Sequence, residues 1–316
     1  MQYSKAKNIN LSKFTLGTVQ LGMNYGIANK SGKPDMNRSF NILETAIEEG
    51  INSFDTSLHY GDSERVLGKY FQTEKYEKRN CRSPLITTKF KLEADKNATP
   101  CEIEKKIRER IESSLGNLGI NKIPIYLAHD PKEMLMHKGV LADILKKLKN
   151  EGLIEKAGVS VYNCEEADEM LKYDVYEAIQ LPMNILDTRF VKSGILAKLH
   201  KAGIIVFIRS IFLQGLFFLD PENLTGNLTQ AGKYLNQLNE LAQGEGMSVA
   251  QLALSYIRDM EEVTSLVIGA EAPQQVKENV KLFEGPGITE KTRQNILDIF
   301  EVVPMHILVP SMWSVR

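Results

Sequence analysis

The sequence is poor in the features that mark several classes of protein. Its 316 residues hold three cysteines, Cys81, Cys101 and Cys164, with no CxxC pair, and five histidines that do not cluster. That spacing supplies neither a disulfide framework nor the ligand set of a metal site, and unpaired thiols fit a reducing cytoplasm. No run approaches the ~20 apolar residues a membrane-spanning helix needs. Met1 to Asn10 is polar, without the apolar core of a secretory signal. Charge of one sign is lacking too: 39 basic against 40 acidic residues leave a net charge of -1. Nothing there attracts nucleic acid or an anionic membrane, so a small molecule is the expected partner. Also missing is the GxGxxG turn of an open dinucleotide-binding sheet; the first strand runs into Gly17-Thr18-Val19-Gln20-Leu21-Gly22 instead.

What the chain does contain is an alternation. Short β-rich runs recur at Phe14 to Gln20, Asn52 to Thr56, Leu85 to Phe90, Ile123 to His129, Lys156 to Val161, Ala178 to Met183, Ile204 to Ser210 and Ser265 to Ala270. Several are almost continuously apolar, the mark of parallel strands buried on both faces. Helical patterns lie between them. Thr99-Pro100-Cys101-Glu102 reads as a capping box with proline in the first turn, followed by Ile103, Ile107, Ile111 and Leu115 on one face. Phe40, Leu43, Ala46 and Ile47 form a stripe closed by Gly50, and Leu141, Ile144, Leu145 and Leu148 another closed by Gly152. Eight right-handed strand–helix units close most naturally into a (β/α)8 barrel, a TIM barrel of one domain over residues 1–316, with an open doubly wound sheet as the alternative. The irregular stretch 215–232 and the tail 301–316, with Pro304, Pro310 and Trp313, are expected to wall a substrate pocket.

In such a barrel chemistry gathers at the C-terminal ends of the strands. Polar residues close otherwise apolar runs at Asp55, Lys89, His129, Ser160, Gln180, Asn184, Arg209 and Ser210, and Tyr60 follows the second strand. Singly, each has a bland reading as a helix cap, a satisfied core residue or a solvated charge. Asp, Lys and His on three consecutive strand ends, however, converge on one mouth.

The run Asp55-Thr56-Ser57-Leu58-His59-Tyr60-Gly61-Asp62-Ser63-Glu64, with Lys89 at 29 residues beyond Tyr60 and Ala128-His129-Asp130 on the next strand, resembles the aldo-keto reductase signature. Gly17-Thr18, Gly158-Val159-Ser160, Gln180-Leu181-Pro182-Met183-Asn184, Gln214-Gly215-Leu216 and Gly269-Ala270 with Glu278-Asn279 extend the likeness over nearly the whole chain. The resemblance implies reduction of an aldehyde or ketone by NADH or NADPH, with Asp55, Tyr60, Lys89 and His129 as the catalytic tetrad. Tyr60 would be the proton donor, its release eased by the Lys89 ammonium, which Asp55 would hold in place. His129 would orient the carbonyl. Gly17, Thr18, Asp55, Ser160, Gln180, Arg209, Ser210, Gln214, Gly215, Gly269, Ala270, Glu271, Gln275, Glu278 and Asn279 would line the cofactor, with Ser160 and Gln180 at the carboxamide and Glu278 and Asn279 near the adenine. His59 and His137 are expected on the surface or in loops, without a role.

The chain departs from the pattern in three places. Val161 stands where the family commonly has Asn, and Asn163, followed by Glu166, reads as a helix cap rather than a substitute. Arg209 takes the place of an aromatic; its guanidinium can stack on the nicotinamide or grip a carboxylate or phosphate of substrate or cofactor. Glu271 and Gln275 stand where basic residues for a 2′-phosphate can occur. A carboxylate repels phosphate and accepts from a ribose diol, which favours NADH unless Lys277 or another basic group intervenes. Two other functions stay open: a non-catalytic, cofactor-binding regulatory subunit, and an aldolase or lyase with Lys89 as Schiff-base nucleophile.

Overall fold

A strand with a face to solvent alternates polar and apolar residues; one covered on both sides has no such need. The computed structural model, which describes residues 1–27, 29, 31–79 and 83–314, bears this out in a closed barrel. Cys81 and the last two residues of the tail lie outside the described residues. A hairpin comes first, β1 (Tyr3–Ala6) and β2 (Ile9–Ser12). The barrel strands are β3 (Phe14–Gly17), β4 (Ser53–Asp55), β5 (Leu85–Phe90), β6 (Ile123–Ala128), β7 (Ile154–Ser160), β8 (Tyr176–Pro182), β9 (Ile205–Arg209) and β10 (Ser265–Gly269). They are joined in chain order by parallel pairing, and β10 closes onto β3.

Register places the polar strand ends on one rim. Gly17 stands opposite Asp55 and Gly269, Ser160 opposite Gln180, and Pro182 opposite Arg209. Helices cover the outside, and their punctuation is local. Thr99 and Glu102 form the reciprocal capping box on helix Pro100–Leu118. Asp35 caps Met36–Glu48, and Asp130 caps Pro131–Asn150. Gly50 and Gly152 then adopt φ of 83° and 78°, the left-handed conformation that glycine enters at least cost. Among the described residues no helix is long and apolar enough to cross a membrane.

The hairpin is not apparent in the sequence, because its two strands are only four residues long and β1 is partly exposed. It has a clear use: Ile9 and Leu11 pack with Ile125, Leu127, Ala178, Ile205 and Phe207 and plug the N-terminal end of the barrel. The first barrel strand is shorter than expected, ending at Gly17. Thr18 N–H crosses to the Asp55 carbonyl at 2.9 Å, and Val19–Gly22 turns into a short helix. Residues 213–231 are three short 3-10 segments rather than an irregular loop. His137, expected on the surface, is buried on the inner face of Pro131–Asn150.

Candidate active site

Asp55, at the end of β4, and Lys89, in β5, meet under the barrel mouth. Lys89 is fully buried, and its Nζ lies 2.6 Å from Asp55 Oδ1. The Gln180 amide donates to the same oxygen at 2.7 Å. Tyr60 sits on the turn after β4, fixed by Leu58 N–H to the Lys89 carbonyl at 3.1 Å and Tyr60 N–H to the Ser57 carbonyl at 3.0 Å. Hydroxyls of Thr18, Thr56 and Ser63 join within 2.8 Å, tying this turn to the end of β3. Lys89 Nζ lies 5.0 Å from the centre of the Tyr60 ring. His129 stands edge-on to that ring, centroids 5.7 Å apart, and its Nδ1 is 3.2 Å from the Ser57 hydroxyl.

Burial dominates the electrostatics. It drives the Tyr60 phenol well above its ordinary range, and the Asp55 carboxylate adds to the effect. In the resting site burial thus favours the protonated tyrosine. Lys89 is itself lowered by burial, with Asp55 restoring part of the charge. His129 is pushed down to about 2 by burial and by the charge of Lys89, so the ring is neutral.

Over these groups opens a cleft of about 780 Å³. Every residue expected at the cofactor lines it: Gly17, Thr18, Asp55, Ser160, Gln180, Arg209, Ser210, Gln214 and Gly215 toward Tyr60 and His129, then Gly269, Ala270, Glu271, Gln275, Glu278 and Asn279 along its length. Lys89 lies beneath the lining. Ser210, Leu213 and Gln214 have φ of 66°, 47° and 53°, an unusual run of left-handed residues of the kind that marks working loops. Asn163 forms a capping box with Glu166, as its sequence context suggests. Arg209 stacks on Tyr162, 4.7 Å from the ring centre, and donates to the Val161 carbonyl at 3.3 Å. The Glu271 carboxyl is raised by burial and partly offset by Arg38, a basic neighbour the sequence does not disclose. The Glu271 N–H donates to the Gln275 side chain at 2.6 Å.

Several lining residues are invisible to sequence reasoning. Gln20 packs against Gly269, and its Oε1 is buried without a partner among the described residues. Tyr25 accepts from Gln214 Nε2 at 3.0 Å across the cleft. Arg189 also lines it, but is neutralised by a two-pronged pair with Asp187. Of the tail, Leu308 to Ser311 reach the cleft, whereas Trp313 donates to the Ile307 carbonyl at 3.1 Å and braces the tail from behind. Only the rise from Gly17 to Gly22 hints at Gln20.

The aldo/keto reductase family matches residues 13–298. An NADH-specific methylglyoxal reductase of Escherichia coli is 27% identical, spanning 86% of this chain and 90% of its own. An L-glyceraldehyde 3-phosphate reductase of Escherichia coli O157:H7 is 28% identical, with 76% and 77% covered. In three dimensions the holo form of an aldo-keto reductase from Bacillus halodurans is similar, with a TM-score of 0.76 at 22% identity over 95% of this chain and 96% of that one.

Proposed function

Since the chain belongs to the aldo/keto reductase family, we propose that it reduces an aldehyde or ketone to an alcohol with a nicotinamide cofactor, Tyr60 acting as general acid. One observation carries the reading: the buried Asp55–Lys89 pair lies directly beneath Tyr60, with His129 facing the same space. Tyr60 keeps its proton until negative charge develops on the substrate oxygen, when the buried ammonium nearby stabilises the phenolate left behind. Asp55 fixes that ammonium, and Gln180 fixes Asp55. His129 makes the second polar contact to the substrate.

The cleft suits a dinucleotide in shape and in chemistry. Gln20 Oε1 lies in its wall, buried with no partner among the described residues, and Ser210 and Gln214, both in the left-handed conformation, line it. Bound there, the cofactor supplies the hydride. Glu271 in the cleft lining, together with the NADH specificity of the methylglyoxal reductase relative, supports NADH. Arg209 has no carboxylate partner among the described residues and adds a positive charge beside Tyr60 and His129. It suits a substrate bearing a carboxylate or phosphate, in keeping with a relative that acts on a phosphorylated aldehyde. Schiff-base chemistry is disfavoured, because Lys89 is covered and ion-paired.

The test follows the absorbance of the reduced cofactor during turnover of a carbonyl panel, for wild type and Tyr60→Phe. A fall of about a hundredfold or more with cofactor binding retained supports the reading. Full activity in the variant, or no binding of either cofactor, overturns it.

A further inference from the structure

Charge at the reacting end of the cleft does not cancel. Lys89 is matched by Asp55 at 2.6 Å, and Arg189 by its two-pronged pair with Asp187. The His129 ring is neutral. Arg209 is different: its permanently charged guanidinium lies over the Tyr162 ring and donates to the Val161 carbonyl, and no carboxylate among the described residues pairs with it. Register sets it there. Phe207 of β9 stands opposite Gln180 of β8, and Arg209, two residues on, lines the cleft with Ser160, Gln180, Tyr60 and His129. Its field reaches the whole machinery, acting downward on the pKa values of Tyr60, Lys89, His129 and Tyr25 alike. The acids Glu271 and Glu278 also line the cleft, but the charged side chains that bear most on Tyr60 are Asp55 and Arg209.

Hydride transfer itself limits where a nicotinamide ring can be. The carbonyl oxygen must be within hydrogen-bond reach of Tyr60, its carbon is one bond away, and the hydride reaches that carbon only by direct contact with its donor. Every productive pose therefore puts the ring close to Tyr60, inside the field that Arg209 sets there. The oxidised ring carries one positive charge and the reduced ring none; the rest of the cofactor is the same in both. A cation at this place repels one form and spares the other, while contacts to diphosphate, ribose and adenine cancel in the comparison.

We propose that Arg209 sorts the two redox forms of the cofactor, favouring the reduced form and expelling the oxidised one. This rests on the reading of the cleft as a nicotinamide cofactor site. Two like charges about 7 Å apart in a half-exposed, salt-screened site are worth roughly tenfold in affinity. In the chemical step the effect largely cancels, because the positive charge gained by the ring and the negative charge gained by the substrate oxygen arise side by side. It survives in the binary complexes, before the carbonyl arrives and after the alcohol has left. The enzyme thus loads with reduced cofactor against competition from the oxidised form, and the spent cofactor is not retained as an inhibitor. An anionic substrate takes up the same guanidinium only in the ternary complex, so the two roles follow one another.

Calorimetric titration of the full-length protein with NADH and with NAD+, no substrate present, reads the sorting directly. NADPH and NADP+ form a second pair, in which the 2′-phosphate cancels likewise. Wild type is expected to bind the reduced form about tenfold more tightly. Arg209→Gln, uncharged but still able to donate to the Val161 carbonyl, should close most of that gap, chiefly by tightening the oxidised form. Arg209→Lys, which keeps the charge and loses the planar stack on Tyr162, should retain the gap. In wild type alone, added salt should narrow it. Equal affinities for the two forms in wild type overturn the proposal. So does a gap that Arg209→Gln leaves intact, the result expected of an arginine that only braces Tyr162 and weakens both forms alike. A gap lost equally in Arg209→Lys would assign the sorting to the stack rather than to charge, and overturns it as well. Failure of the cofactor reading shows separately, as no binding of either pair.

Discussion

Lys89 and Asp55 form an almost fully buried ion pair, with side-chain exposures of 0% and 5% and 2.6 Å between Nζ and Oδ1. Its weight lies less in the attraction than in the charge left stranded when one member is removed. Lys89→Met leaves a carboxylate in a pocket that still lacks solvent, and should cost about 3–5 kcal/mol in urea unfolding together with turnover. Adding Asp55→Asn removes the stranded charge, so the double variant should regain most of the stability and none of the activity. A single variant as stable as wild type would sink the account.

The neutral ring of His129 has a consequence in acid. Its folded pKa is near 2, against about 6.5 in an unfolded chain. Below the unfolded value the unfolded state binds a proton that the folded ring refuses, so stability falls as pH falls. Between pH 7 and pH 5 this one group should remove about 2 kcal/mol. Urea midpoints at both pH values, compared with His129→Asn, check it: the variant should lose less on acidification. An identical pH dependence would count against a buried, uncharged ring.

The residues around this ion pair and ring differ in how far the chain alone discloses them. Asp55, Lys89 and His129 can be read from the chain because each is a polar residue ending an apolar run, and strand ends share one rim. Ser57 cannot, since a serine in a turn looks like any other until Lys89 and His129 are brought beside it by the pairing of β4, β5 and β6. Gln180 is expected at the cofactor, and its amide also reaches Asp55, 125 positions away in sequence. The raised Tyr60 phenol escapes sequence reasoning on the same ground: burial is a property of the closed barrel, not of the local sequence. The hairpin leaves no signal because its two short strands gain stability from the barrel floor rather than from any pattern of their own.

Cofactor choice should respond to Glu271. Glu271 lines the cleft, and Arg38, on helix Met36–Glu48, acts on its carboxyl as an opposing charge. Glu271→Ser removes the repulsion toward a 2′-phosphate and leaves Arg38 to attract it. NADPH affinity relative to NADH should rise by about tenfold, measured by quenching of protein fluorescence. An unchanged ratio would place the discriminating charge elsewhere.

The position of Tyr60 depends on a near contact between two glycines. Gly22, in the helical turn after β3, presses against the Tyr60 carbonyl and the Ser63 N–H so closely that a methyl group would overlap both. Gly61, at φ 55°, approaches the Gly22 carbonyl in return. Gly22→Ala must therefore shift the Tyr60 turn relative to Lys89, and overpacking of this kind costs about 1–3 kcal/mol. The catalytic effect should exceed the stability effect, because the phenol shifts relative to a fixed ammonium: kcat should fall while cofactor affinity holds. Gly116→Ala is the control. Gly116 is exposed within helix Pro100–Leu118, and a methyl group there meets nothing within 4 Å. That variant should gain about 0.5–1 kcal/mol from helix propensity and turn over as wild type. Equal behaviour of the two variants would show that the Gly22 contact does not hold Tyr60 in place.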